Sequence, residues 1–530
     1  MEQHFNDRSR MGTIELNLPQ ELGHHLSGMD NMFFQLEHPR RLLTICSVWL
    51  FNERLDTATV LDSLKNLCGH YPRFCLVPKS TGSCLETPIW SRPQRNWSFK
   101  DNIGFHTLDE PTTECLQKYI ASQYTTPFDF DKPLWEVQFI TGLQGNQSAF
   151  LWKAHHSMSD GIGIMKAVLA TTTSLDADKE TRQMMEKLEQ RRQSKDGSLQ
   201  DSQQQSVREK FQQHQSDQAK HKFGTVWNQL VVWLIWGWHL LLITKYQVYH
   251  ELWTASLFLE PVIQQLLYAC LLPLQLLLPW SLLRTPTHRH ELYYDQDQTY
   301  DKLIAWTEDM AMGDIQKIQR GIGGTDCTVN DVMLMIFGRS VGRYLEQQGL
   351  PSSHQLRVVI PLSFRMPTDW SMKNVVTGNM VKLDTGPSSS TASLLHSIHH
   401  RMMCVKRSVM PFAIYHVIVQ TLLRYFPFLM MPLWCQHWYT DLPHAVFTNI
   451  TGPTEPTCFG GQEMTRFHVL PPQAGKGSIS VGLVSYGDKL NVSMLTDDSS
   501  AYPDLASQLC KIFVAEFNAA LEEAQDSGFR

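Results

Sequence analysis

The chain has 530 residues, 18% of them charged, with a net charge of −6 and 11 cysteines. That length accommodates two core-sized units plus an insertion. The charge balance, with no basic run interleaved with aromatics, excludes a nucleic-acid binder. The cysteines are odd in number, scattered and without a Cys-x-x-Cys pair, which points to reduced thiols in a cytosolic setting and to no zinc site.

The polar start, Met1-Glu2-Gln3-His4, does not read as a cleavable signal peptide, so the sequons beginning at Asn96, Asn146, Asn449 and Asn491 are read as coincidental. From about residue 20 to 175 helical and strand patterns mix. Ser148 to Ala154 has the composition of a strand, and Gly161 onward, with Ile162, Ile164, Met165, Val168 and Leu169, has that of a helix. Between them lies His155-His156-Ser157-Met158-Ser159-Asp160-Gly161. The spacing therefore places two histidines on a strand-to-helix loop, where a scaffold can aim an imidazole into a cleft. A neutral imidazole takes a proton from an alcohol or amine as it attacks a carbonyl. Asp160 is expected to hold the loop, and Gly161 to let the backbone turn tightly. The competing reading is a pair of satisfied loop histidines. The chain carries its own controls: His24-His25 and His399-His400 lack the Asp-Gly, and His437 to Asp441 lacks the second histidine and the glycine. Those three are assigned structural roles.

Residues 186–222 are rich in Gln, Ser and charge, and read as a solvated helix or a disordered linker. Val226 to Ile243 and Pro261 to Leu283 are uncharged and mostly apolar, the first with four tryptophans. Their length allows a bilayer-spanning pair, while the tryptophans and scattered amides suit helices lying in the interface; both remain open. Further on, Thr328 is expected to cap a helix with Asp331 in its first turn, stopping at Gly349-Leu350-Pro351. Arg357 to Pro361 reads as a strand, and Ser478 to Tyr486 with Lys489 to Thr496 as a hairpin around Gly487-Asp488. An amphipathic helix from Pro503 to Ala524 ends the pattern.

With these landmarks in order, the chain resembles the wax ester synthase/diacylglycerol acyltransferase family of the CoA-dependent acyltransferase and condensation-domain superfamily. The resemblance rests on Leu26 to Phe34, Pro133-Leu134-Trp135-Glu136, the histidine loop, Thr328 to Leu334 with Asn330-Asp331, Pro361 to Arg365, Gly378-Asn379, and Thr448 to Pro453. It covers the chain except residues 186–290. The Asp-Phe-Gly-Trp-Gly run of plant-type alcohol acyltransferases is absent, and no length remains for the carrier domains that condensation domains serve.

The resemblance implies an α/β fold of two pseudo-symmetric chloramphenicol-acetyltransferase-like halves facing across a substrate tunnel, with an apolar helical insertion between them. The expected divisions are 1–185 for the first half, 186–222 for the linker, 223–290 for the membrane-associated insertion and 291–530 for the second half. It further implies an O-acyltransferase moving a long-chain acyl group from acyl-CoA to a fatty alcohol or diacylglycerol. Acyl-CoA is then a co-substrate, with no cofactor, metal or nucleic acid. His156 is expected to act as general base, with His155, Asp160 and Gly161 shaping its loop. Pro133, Leu134, Trp135, Asn330, Asp331, Gly378 and Asn379 are expected to shape the tunnel, with Asn330 and backbone amides both candidate oxyanion donors. The rival class is a catalytically silent, membrane-bound lipid-binding or scaffold protein of the same fold. Because motifs on either side of the insertion must meet at one site, both halves must lie on one side of any membrane. The flanking basic residues put that side in the cytosol, at the endoplasmic reticulum membrane or a lipid droplet surface.

Overall fold

The computed structural model describes residues 22–170, 244–253 and 300–526, apart from short stretches at 84, 94–96, 246, 325, 351–354, 367, 387–389, 431–442 and 475–476. The expected linker, both apolar segments and His437 lie outside the described residues.

Two mixed sheets carry the molecule. In the first half the strands are β1 (Thr44–Phe51), β2 (Val77–Lys79), β3 (Ile89–Ser91), β4 (Ile103–Thr107), β5 (Trp135–Thr141) and β6 (Ser148–His155). Then follow β7 (Lys302–Trp306), β8 (Met310–Ala311), β9 (Leu356–Ser363), β10 (Val376–Leu383), β11 (Ala445–Thr451), β12 (Cys458–Phe459), β13 (Gln462–Leu470), β14 (Ile479–Tyr486) and β15 (Lys489–Asp497). The first sheet runs β12-β13-β1-β6-β5-β4 and the second β10-β9-β11-β14-β15-β7, with β8 beside β15. β6 is buried along its whole length, as its apolar run requires of a central strand. Its one charge, Lys153, is satisfied by Thr126 O at 2.7 Å and Glu136 Oε2 at 3.1 Å.

The halves exchange pieces. β12 and β13 belong to the second half by sequence, yet β13 pairs antiparallel with β1 from Cys46↔Leu470 to Phe51↔Met464. In return, the helix Gly28–Leu36 packs Met29, Met32 and Phe33 on Met380, Ile414, Ile418 and Val419. Asp497, fully buried, pairs with Arg41 at 2.7 Å and Lys302 at 2.5 Å, joining the two chain segments at one point.

The local expectations for the second half match the elements formed. Thr328 caps Val329–Gln347 in a reciprocal box with Asp331, leaving few amide donors of the first turn unsatisfied. The Gly487 turn, at φ 59°, joins β14 to β15, and the final helix runs Leu505–Asp526.

Candidate active site

The histidine loop is built by continuing the sheet. His155 N donates to Leu134 O at 2.9 Å, and His156 N donates to Leu43 O at 2.7 Å. Backbone bonds to both neighbouring strands thus hold the histidines as β6 ends. Asp160 then caps the helix Gly161–Leu169, its Oδ1 accepting from Gly163 N at 2.7 Å.

Four of the expected residues converge here, in different roles. His155 is fully buried and points away from the cleft: Nδ1 meets Ser157 Oγ at 2.7 Å and Nε2 meets Glu37 Oε2 at 2.9 Å. Burial pushes the Glu37 carboxyl up, but the His155 hydrogen bond and charge, with the Leu43 amide, hold it below its ordinary range. His156 is half-buried because its ring opens on a cavity, and Phe33 stacks on it with centroids 3.8 Å apart. Its Nδ1 lies 3.2 Å from Asn374 Oδ1. Burial among protein atoms lowers its pKa to about 4, against the opposing pull of its own carbonyl, Asp160 and Asn374. The imidazole is therefore neutral at physiological pH, the form that accepts a proton.

The second oxygen of Asp160 accepts from Arg365 Nη2 at 3.0 Å and from Val375 N at 2.8 Å. Oδ1 is thereby committed to the helix cap and Oδ2 to holding the loop to the second half. Gly161 differs from expectation. It is absent from the positive-φ glycines, and its lack of a side chain serves close approach, since a Cβ would sit 3.1 Å from Ile450 Cδ1 in the cavity wall. Gly163 is the tighter position, where a Cβ would meet Ser159 Oγ at 2.1 Å and Arg365 Nη2 at 2.8 Å.

The cavity lies between the sheets and holds about 1570 Å³ of empty space, counting its open mouth. Its wall is mainly apolar: Ile45, Ile164 and Val168 from one side, Val359, Val376 and Val446 from the other, with Ser47, Asp160, Thr448 and Asn449 among the few polar members. Of the residues expected to shape it, only Gly378 lines it. Pro133, Leu134 and Trp135 do not; Leu134 and Trp135 are fully buried beside the histidine strand, where β5 begins. They brace the histidine strand instead, through Leu134 O to His155 N and Trp135 Nε1 to Phe74 O at 2.8 Å, while Asn102 Nδ2 holds Pro133 O. Asn379 follows Gly378 on an extended strand, so its side chain takes the opposite face and is buried there. Asn330 does not line the cavity, which separates it from the place an oxyanion would form; its Oδ1 accepts from Asn449 Nδ2, and Asn449 does line it. Asp331 is absorbed by the Thr328 cap and by His399 Nδ1 at 2.9 Å. Cys327, Asp331 and His399 bring one ligand atom each within 4.8 Å of one another, the one such group among the described residues. None of the three lines the cavity.

Arg365 and Asp30 fell within sequence landmarks without a role. Glu37, Arg73, Gly163 and Asn374 were not singled out, and Asn374 reaches His156 across 218 positions.

Comparison with known proteins decides the family. The signature of the wax ester synthase/diacylglycerol acyltransferase catalytic domain matches residues 26–226, and that of the C-terminal domain matches 373–520. The chain belongs to the wax ester synthase/diacylglycerol acyltransferase family. Similar proteins include wax ester synthase/diacylglycerol acyltransferase 9 of Arabidopsis thaliana, 28% identical over 22% of this chain and 25% of its own length. A Mycobacterium bovis protein with a provisional diacylglycerol O-acyltransferase name is 28% identical over 28% of this chain and 34% of its own. The matches thus span about a third or less of these relatives. Among solved structures, the wax ester synthase/diacylglycerol acyltransferase of Marinobacter aquaeolei VT8 superposes with a TM-score of 0.56 at 17% identity, covering 95% of this chain and 100% of its own. The first condensation domain of the calcium-dependent antibiotic synthetase gives 0.52 at 12% identity, covering 96% and 97%. These likenesses show the mixed α/β fold of two halves.

Proposed function

We propose that the protein is an acyl-CoA:alcohol O-acyltransferase that forms wax esters, triacylglycerol or both, with His156 as general base. One observation carries this reading: the His156 imidazole, held from behind by Asn374, opens on a large, mainly apolar cavity between the two halves. Transfer of each methylene from water into such a wall contributes about 0.8 kcal/mol, which favours a long acyl chain over a short one.

In this reaction His156 Nε2 takes the proton of the acceptor hydroxyl as its oxygen attacks the thioester carbonyl carbon. The C–O bond forms and a tetrahedral oxyanion results. The C–S bond then breaks, and the CoA thiolate recovers the proton from Nε2, restoring the neutral base. No covalent enzyme intermediate is needed, which agrees with the lack of a Gly-x-Ser-x-Gly turn. Full-length protein, purified and supplied with radiolabelled palmitoyl-CoA, should esterify at least one member of a panel of fatty alcohols and diacylglycerols. Binding of palmitoyl-CoA with no ester product from any acceptor would favour the silent scaffold.

We place the protein at the endoplasmic reticulum membrane or lipid droplet surface, both halves in the cytosol. Among the described residues no single helix is long and apolar enough to cross a membrane; the bent pair Thr391–Arg407 and Met410–Tyr425 passes that test only jointly. Val409, Phe412, Val417 and Tyr425, in and beside the second of these, are exposed, and Ile414 between them lines the cavity. That arrangement suits a lipid surface beside the substrate path. Tags at residues 200 and 300 in sealed microsomes should both be cut by external protease. Opposite sides would break the one-site arrangement.

A further inference from the structure

The proton on His156 has a location that its surroundings dictate. Asn374, in the connection from β9 to β10, donates from Nδ2 to the His156 carbonyl oxygen and to Asp30 Oδ1, both at 2.8 Å. A carbonyl and a carboxylate only accept, so the amide nitrogen must face them and the amide oxygen must face the imidazole. That oxygen, 3.2 Å from Nδ1, also only accepts. Nδ1 therefore carries the hydrogen. Nε2 keeps its lone pair, on a ring that lines the cavity and that Phe33 holds by stacking.

The clamp is itself anchored. Asp30 is fully buried and accepts from Asn374 N at 3.2 Å and from Arg73 Nη2 at 3.0 Å. Arg73 in turn donates to Met158 O and Met372 O, each at 2.7 Å. Residues of the first half (Asp30, Arg73, His156) and of the second (Met372, Asn374) thus meet in one buried network. Asn374 is 1% exposed and does not line the cavity, so it has no route to substrate.

We propose that Asn374 is a positioning residue for the base: it fixes the Nδ1-protonated tautomer of His156 and gives the growing imidazolium an acceptor, so that the base is assembled only when the two halves are docked. The proposal rests on the reading of His156 as the base. General-base catalysis is worth about 10²–10⁴-fold, and losing the tautomer forfeits a large share of it.

The test is a double-mutant cycle on the full-length protein, with radiolabelled palmitoyl-CoA and hexadecanol. Asn374→Ala should lower kcat about ten-fold or more while KM for palmitoyl-CoA stays within about three-fold, because the residue acts through His156 and not on substrate. In a His156→Ala background, followed over long incubations, the same substitution should change the residual rate by less than about two-fold. Asn374→Ser retains a donor for Asp30 but cannot bridge ring and carbonyl together; it should repeat the kcat loss and replaces the alanine variant if that one fails to fold. A wild-type kcat in either variant, or an equal loss with and without His156, would overturn the proposal. Failure of the base reading is separately visible, as near-normal turnover by His156→Ala alone.

Discussion

His156→Ala is expected to lower ester synthesis by about 10²–10⁴-fold, the range that a positioned general base supplies. The substitution removes a ring that opens on the cavity, stacked on Phe33 and bonded to Asn374, so the sheet and both cores keep their packing. The fold should therefore survive, and binding of acyl-CoA should persist. Turnover within a few-fold of wild type would sink the assignment. His437→Ala, in a stretch that has the aspartate but lacks the second histidine and the glycine, should leave activity largely intact. The pH dependence gives an independent reading. With its pKa lowered to about 4, His156 stays neutral in the folded protein while an unfolded histidine begins to take its proton near 6.5. Between those values the unfolded chain binds more protons, so stability falls as pH drops from about 6.5 towards 4. His468, buried and likewise lowered to about 4, adds to the same slope. His156→Ala should make the decline in melting temperature over that window shallower, and wild-type kcat should lose no His156 contribution between pH 8 and 6.

The histidine loop could be read from one sequence because its parts are consecutive: an apolar run, two histidines, a capping aspartate and an apolar helix within 22 residues, 148–169. The Thr328 cap and the Gly487 hairpin were legible for the same reason, being settled by local chemistry. Partners brought together by the fold were not. Nothing near Asn374 in the chain marks it as the neighbour of His156, and Arg365 meets Asp160 across 205 positions.

The errors have a common origin, which is that a motif does not say which way its side chains point. Gly378 and Asn379 were both assigned to the tunnel, yet adjacent strand residues take opposite faces and only one can reach it. Asn330 and Asp331 are likewise neighbours on a helix, one turned towards Asn449 and the other into the cap. Pro133 to Trp135 precede the loop and do serve it, but by bracing the neighbouring strand, through the Leu134 carbonyl and the Trp135 indole N–H. His399, read as structural, is structural by virtue of Asp331, a partner that spacing could not supply.

Asp160→Asn should lower stability and activity together. In the folded protein one carboxylate oxygen takes the Gly163 amide, and the other takes Arg365 and the Val375 amide. All three partners are donors, and an asparagine can offer only one oxygen. Whichever way the amide turns, its NH₂ faces a buried donor, and Arg365, whose side chain is 1% exposed, loses its counter-charge at this end. An orphaned buried donor costs about 1–3 kcal/mol, and removal of one partner from a buried ion pair about 3–5 kcal/mol. Asp369, 3.3 Å from Arg365 Nη1, keeps part of the charge balance, so the lower end, about 3 kcal/mol, is the expected loss. Activity should fall because the helix cap and the tie to Val375 fix the loop exit four residues after the base, and Val375 adjoins Asn374. Thermal melting and ester synthesis measured on the same preparation separate the possibilities. A variant that melts like wild type but makes no ester would move Asp160 from holding the loop to acting on the reaction itself.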